Sequence, residues 1–377
     1  MDELSKAPSV RPVDDMSGDG VRAIMIDGPA WKGKRTSAFA YYALPDGASA
    51  TNKVPGIVLV HGGIGTAYKR WVKVWQSRGY AAIAVDNCGG WPVKGEGQDW
   101  LRHKLSGPPG WGGFDTVGQP PTDQWFYHAV ALSILSHSYL RSLPEVDSRA
   151  IGITGISWGG ILTCVIAAVD TRLAYAVPVY GCGFLGDHSF LLEKHRGPVA
   201  ERWTALWDPS HFLPLVKCPF LWVDGTNDFA FPLDSVRKSA DLVKDSAFTT
   251  IVRMAHSHGA PGEDPAEILA FADHYARGGR DIVRIVESKS ENGTLSVRFD
   301  PKGRTVTSAM LVWTAESVAD WKDRRYESKE VTDFDPQTCR VSAEIPKDAR
   351  LWYLSLTTDD GLRFCSPVEG PALEEYP

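Results

Sequence analysis

From Val54 onward, short uninterrupted apolar runs alternate with longer stretches in which apolar residues recur every three to four positions. The runs predict strands over 56–61 (GIVLVH), 81–86 (AAIAVD), 150–154 (AIGIT), 173–180 (LAYAVPVY), 219–223 (PFLWV) and 249–254. The longer stretches predict helices over 67–78, where Trp71, Val74 and Trp75 share one face, and over 123–141, 158–169, 233–243 and 264–276. Strand and helix in regular alternation specify a doubly wound α/β domain with a mostly parallel sheet. Beyond Gly278 the period drops to two: Leu295, Val297 and Phe299 alternate with polar neighbours, as do Val341, Ala343 and Ile345, then Trp352, Leu354 and Leu356. Asn292-Gly293 between two such runs is a hairpin signal. The expected division is a flexible segment over 1–20, an α/β domain over 21–279 with insertions at 89–127 and 181–213, and a small antiparallel, immunoglobulin-like β-sandwich over 280–377.

Composition narrows the classes. A chain of 377 residues that is 43% hydrophobic and 23% charged builds folded domains rather than disorder. Its formal charge of −6 opposes a phosphate backbone, so nucleic acid is not an expected partner. No apolar run reaches the ~18 residues of a membrane span, and the polar first 20 residues hold no signal-peptide core, so a soluble protein is expected. The sequence as given reads as cytoplasmic, and a secreted or periplasmic protein that had lost its leader would read the same. Six scattered cysteines fit neither a disulfide scaffold nor a structural zinc site, although Cys339 and Cys365 remain a candidate pair.

The chemistry concentrates where predicted strands end. Gly155-Ile156-Ser157-Trp158-Gly159 matches G-x-S-x-G between a strand and a helix, the setting of a nucleophile elbow, so Ser157 is the candidate nucleophile. A serine hydroxyl needs a base, and the base needs an orienting carboxylate. Asp228, on the loop after 219–223, is the candidate acid, with Asp224 its rival at the strand end. His256-Ser257-His258-Gly259 offers two bases: His258, next to a glycine, is expected to serve, with His256 the alternative. The negative oxygen of an acyl-transfer intermediate requires amide donors. Trp158 should supply one and Gly63, in His61-Gly62-Gly63-Ile64-Gly65, the other, with Ile64 in reserve and His61 bracing the loop. No metal-ligand spacing, phosphate loop or dinucleotide fingerprint accompanies these residues, so no cofactor or metal is implied.

Fourteen of the 39 residues from Gly89 to Tyr127 are Gly or Pro, and this insertion holds Trp91, Trp111 and Trp125. The second insertion holds Trp203 and Trp207. Both follow the carboxyl ends of strands, where binding loops lie, so these five tryptophans and Ile64 are expected to line a substrate site suited to sugar rings or aromatic acyl groups.

The segments HGGIGTA (61–67), RGYAAIAVD (78–86), GISWGG (155–160), PVYGCGFLG (178–186), GTNDF (225–229) and HSHG (256–259) resemble the α/β-hydrolase superfamily. Within it they are similar to the branch of dienelactone hydrolases, prolyl-oligopeptidase-like esterases and acetyl-xylan-esterase-like proteins. The likeness covers about 21–279, and the sandwich more loosely resembles an appendage of some acetyl-xylan-esterase-like members. It implies a Ser157, Asp228, His258 triad and a serine esterase acting on a small-molecule or carbohydrate ester. Dienelactone hydrolases use cysteine where Ser157 stands, and branch peptidases carry a propeller for which this N-terminus is too short. A small peptidase or dienelactone-type hydrolase, or a hydrolase-fold binding protein, are the alternative readings. An exposed sandwich edge leaves a homo-oligomer open.

Overall fold

The computed structural model describes residues 1–94, 100–188, 197–251, 256, 259–316 and 318–373. The strands of the main sheet are β1 (Val10–Pro12), β2 (Arg22–Trp31), β3 (Lys34–Ala43), β4 (Val54–Val60), β5 (Ala81–Val85), β8 (Val146–Ile156), β9 (Ala176–Val179), β10 (Phe220–Gly225) and β11 (Ser246–Ile251). A separate hairpin, β6 (Gly90–Lys94) and β7 (Trp100–Arg102), rises from the first insertion. The sheet order is β1-β2-β3-β5-β4-β8-β9-β10-β11, parallel from β5 to β11. The parallel strands read as unbroken apolar runs because helices cover both faces. These include α1 (Lys69–Ser77), α2 (Trp125–Ser142) and α3 (Trp158–Val169).

The connection from β4 runs outward to β5 on one side, while β8 flanks β4 on the other, so the chain order reverses at β4. Ligands in open α/β sheets bind beyond the carboxyl ends of strands at such a reversal. Register sharpens the location: Val60 pairs with Gly155, so the loop after β4 and the turn after β8 leave the sheet side by side.

Strands β1 to β3 are additions to the sequence reading. β2 and β3 form a hairpin through Lys32 and Gly33, both at positive φ (51° and 74°), and β3 joins β5 antiparallel. The 1–20 segment is likewise built in. Val10–Pro12 pairs with Ile24–Ile26, and the Ser138 hydroxyl and Arg172 guanidinium donate to the carbonyls of Leu4 and Ser5.

The C-terminal strands are β12 (Arg284–Glu291), β13 (Thr294–Asp300), β14 (Val306–Thr314), β15 (Glu327–Glu330), β16 (Phe334–Asp335), β17 (Arg340–Glu344), β18 (Leu351–Thr358) and β19 (Arg363–Cys365). They make two four-stranded antiparallel sheets, β12-β13-β17-β16 and β15-β14-β18-β19. Asn292 and Gly293 turn the β12–β13 hairpin at φ 49° and 77°. The inward alternation puts Leu295, Val297, Phe299 and Val341 into one core with Ala309, Leu311, Leu354 and Leu356 of the other sheet. β14 and β18 are apolar on both faces because Val312, Leu351 and Tyr353 pack outward on Leu233, at the start of the helix Leu233–Asp241. Among the described residues no disulfide joins any of the six cysteines, so the candidate pair of Cys339 and Cys365 does not form. Among the described residues no helix is long and apolar enough to cross a membrane.

Candidate active site

Ser157 sits between β8 and α3 at φ 58°, ψ −119°, a conformation that costs a non-glycine residue energy. Surrounding contacts hold it there. Its amide donates to the Val179 carbonyl at 3.0 Å, and its carbonyl accepts from the Ile161 amide at 3.0 Å. The neighbouring glycines are needed for close approach. A Cβ at Gly155 would overlap the Gly159 carbonyl, one at Gly159 the Val60 carbonyl, and one at Gly160 would come within 2.9 Å of Gly181. The turn is therefore wedged against β4 and the chain after β9.

Asp228 follows β10 on a tight turn in which Oδ1 accepts the amides of Ala230 (2.8 Å) and Phe231 (2.9 Å). Its other oxygen, Oδ2, lies 2.5 Å from Nδ1 of His256, whose Nε2 is 2.9 Å from Ser157 Oγ. A carboxylate that already accepts two amides accepts a third hydrogen from Nδ1, which leaves Nε2 as the acceptor for the serine hydroxyl. The His256 ring is packed by aromatic neighbours: Tyr180 stacks at 4.4 Å between centroids and 24° between planes, with Phe229 at 4.6 Å and Phe231 at 6.0 Å.

This geometry replaces the sequence expectation of His258 with its alternative, His256. The base position between Asp228 and Ser157 is filled by the His256 ring, and His258 lies outside the described residues. Asp224, the rival acid, is buried near the end of β10, next to Gly225, with no hydrogen-bond partner for either oxygen among the described residues. Burial, and then the charge of Asp228, push its pKa well above the usual carboxylate range.

The loop after β4 lies beside the turn. His61 Nε2 accepts the Asn87 amide at 2.9 Å, so Nδ1 carries the hydrogen and donates to the Gly62 carbonyl at 2.7 Å. Desolvation lowers its pKa, which favours this neutral ring. A Cβ at Gly63 would stand 2.8 Å from ring atoms of both Trp111 and Trp158. Ile64 follows at φ 51°, 71% exposed, its carbonyl accepting the Trp100 indole. Among the described residues the amides of Gly63, Ile64 and Trp158 have no hydrogen-bond acceptor, which is what donors waiting for an oxyanion require.

The five candidate tryptophans divide. Trp111 is 41% exposed and packs edge-on to Trp158. Trp125 and Trp203 also pack on Trp158 but are fully buried, and the Trp203 indole donates to the Gly112 carbonyl at 2.7 Å. They pack against the elbow residue and, being buried, offer no face to a ligand. Trp91 packs on Phe39 and His103, and Trp207 stacks on Phe126 while donating to Gln124. Of the five, Trp111 alone combines an open face with contact to the elbow residue. The expectation of a tryptophan-lined wall is corrected accordingly. The residues that sequence reasoning missed are Tyr180 and Phe231 around the imidazole and Phe229, 40% exposed, at its edge. The aromatic directly after Asp228 in GTNDF was the available signal. Among the described residues no three His, Cys, Asp or Glu side chains come together as a metal site.

Comparison with known proteins places the chain in a family. The sequence pattern of acetyl xylan esterase (AXE1) matches residues 2–197, just over half of the chain. An acetyl esterase, Axe7A, of Xylanibacter ruminicola is 26% identical over 134 residues, a stretch covering 32% of this chain and only 30% of that relative. Among solved structures, an acetyl xylan esterase from Paenibacillus sp. R4 superposes with a TM-score of 0.57 at 21% identity, covering 73% of this chain and 92% of that one. Acetyl xylan esterase 1 from Thermoanaerobacterium sp. gives 0.54 at 15% identity with the same coverage. A puromycin-hydrolyzing peptidase of Mycobacterium tuberculosis gives 0.52 at 20% identity over 70% of this chain and 41% of that one. The structural likenesses carry the α/β-hydrolase fold and the sequence pattern carries the membership: the chain belongs to the acetyl xylan esterase (AXE1) family of α/β-hydrolase esterases.

Proposed function

We propose that this chain is a serine carboxylic-ester hydrolase that removes acetyl groups from carbohydrate, with Ser157 as nucleophile, His256 as base and Asp228 as the orienting acid. The observation that carries the reading is the continuous relay from Asp228 Oδ2 through His256 to Ser157 Oγ, at 2.5 and 2.9 Å, on a strained strand-to-helix turn. As Ser157 Oγ attacks the ester carbonyl, its proton passes to His256 Nε2. The amides of Trp158 and of Gly63 or Ile64 receive the negative oxygen. His256 then returns the proton to the departing alkoxide, leaving an acetyl-enzyme and a free sugar hydroxyl. Water repeats the sequence: it loses a proton to His256 as it attacks, and Ser157 regains one as acetate departs.

Family membership supports the acetyl group, and the open Trp111 face beside Gly63 supports a sugar ring on the alcohol side. The test is Ser157→Ala assayed on an activated acetyl ester and on acetylated xylo-oligosaccharide. Loss of about 10⁴-fold or more in kcat is expected. Residual activity above a few per cent, or cleavage of peptide amides on a par with esters, refutes the reading. Failure of a fluorophosphonate to label Ser157 would instead favour a hydrolase-fold binding protein.

A further inference from the structure

The β-sandwich reaches back into the α/β domain at one place that bears on the relay. The Trp321 indole, on the 3-10 turn Val318–Asp323 between β14 and β15, donates to the backbone carbonyl of Asp228 at 2.7 Å. One residue earlier, the Asn227 carboxamide nitrogen donates to the carbonyls of Lys322 (3.0 Å) and Arg324 (2.8 Å). Its orientation is fixed, because the Thr226 hydroxyl donates to Asn227 Oδ1 at 2.7 Å and so directs the nitrogen at the sandwich. Five residues past Asp228, Leu233 packs on Val312, Leu351 and Tyr353. The acid loop is thus attached to the C-terminal domain on both sides of Asp228.

We propose that the sandwich positions the acid, with Trp321 and Asn227 as positioning residues that hold the Asp228 backbone so that Oδ2 meets His256. The Asp228 side chain is short, so its carboxylate moves with its peptide. The indole N–H fixes the carbonyl of that peptide, while the amides of Ala230 and Phe231 fix Oδ1. Removing the indole frees the Asp228 carbonyl and leaves the turn contacts and the neighbouring Asn227 carboxamide to aim Oδ2. A displacement on the order of 1 Å in such a relay costs up to about 100-fold in rate. The effect falls on kcat and not KM, since both residues act on the relay through the acid loop. The proposal rests on the relay read above as a serine esterase.

The test uses the full chain. Trp321→Phe keeps most of the ring packing and removes the donor. On an activated acetyl ester it should lower kcat about 10-fold or more with KM unchanged, and slow fluorophosphonate labelling of Ser157 in proportion. Trp352→Phe is the control: it removes an indole donor to Ser290 Oγ inside the same sandwich and should leave kcat unchanged. If Trp321→Phe does not fold, Asn227→Ala carries the same expectation with Trp321 intact. Unchanged kcat in a folded variant, or an equal loss in Trp352→Phe, overturns the proposal. Ser157→Ala is run alongside. Activity surviving there sinks the esterase reading, whereas activity lost there but kept in Trp321→Phe sinks only the role of the sandwich.

Discussion

Replacing Asp228 with Asn leaves the shape of the side chain intact and exchanges one acceptor oxygen for an NH₂ donor. Two orientations are open to the carboxamide. In the first, its oxygen stays on the amides of Ala230 and Phe231, now 2.8 and 2.9 Å from Oδ1, and its NH₂ faces His256 Nδ1. In the second, the oxygen faces His256 and the NH₂ confronts two buried amide donors, which lose their acceptor. Each lost partner costs about 1–3 kcal/mol, so the second orientation lies roughly 2–6 kcal/mol above the first. The first therefore prevails. It turns Nδ1 into an acceptor and puts the imidazole hydrogen on Nε2, where it points at Ser157 Oγ and cannot take the serine proton. A histidine held in that tautomer has cost about 10⁴-fold in kcat in serine peptidases with an equivalent relay. The expected outcome for Asp228→Asn is a loss of about 10³- to 10⁴-fold in kcat on an activated acetyl ester, with a melting temperature close to wild type. Asp228→Asn retaining more than a tenth of wild-type kcat would refute both the acid assignment and the argument from the two amides.

Three further substitutions and a change of pH probe other parts. Trp111→Ala should raise KM for acetylated oligosaccharide by roughly 3- to 10-fold, the effect of losing about 1 kcal/mol of contact, while hardly changing KM for a small aryl acetate or the melting temperature. Trp203→Ala, by contrast, should cost about 3–5 kcal/mol in denaturant unfolding because that ring is fully buried and hydrogen-bonded; equal stability losses in the two variants would contradict their different placement. Gly159→Ala should yield little folded protein by circular dichroism, since its Cβ overlaps the Val60 carbonyl and backbone at the elbow has no room to move. Burial lowers the pKa of His61, His103, His128 and His137, so the unfolded chain binds more protons than the folded one once pH falls below about 6.5. Melting temperature should hold above pH 7 and decline through pH 6 to 5; a melting temperature that rises on acidification would show the sign to be wrong.

The parallel half of the sheet was legible because a strand covered on both faces needs an unbroken apolar run. The hairpin of β2 and β3 was not, since its turn residues, Lys32 and Gly33, are a weaker signal than Asn292-Gly293. At the site, the turns that present Ser157 and Asp228 were readable from local pattern because the geometry of each constrains its neighbours in sequence. Which histidine meets them was not. His256 and His258 are two residues apart and chemically equivalent on paper. His256 is placed by contact with Tyr180, Phe229 and Phe231, which come from other loops and leave no mark on the sequence around it. The glycine that favoured His258 carried no information, for Gly259 adopts extended backbone at φ 166°, open to any residue. The clasp of the sandwich on the acid loop was equally hidden, because Trp321 and Asp228 are 93 residues apart and neither lies in a repeating pattern.

The tryptophans of the two insertions have a physical role different from the one their loop positions suggested. The stretch after β7 turns through Gly110, Gly112 and Gly113, all at positive φ, and cannot build a core from a regular helix or strand face. It is held over the elbow by rings instead. Phe114, Trp125 and Trp203 meet Trp158 at centroid distances of 5.6 to 6.0 Å. A Cβ at Gly112 would stand 2.7 Å from the Trp158 ring. Large flat side chains fill that space with few rotatable bonds, and an indole can also satisfy a loop carbonyl, as Trp203 does for Gly112. Burying the cluster leaves Trp111, the ring at its outer edge, rigidly supported and open. On the proposed reading, a stacking face that is already fixed would lose little freedom on binding a sugar ring, and the buried tryptophans would act on recognition through the one that is exposed.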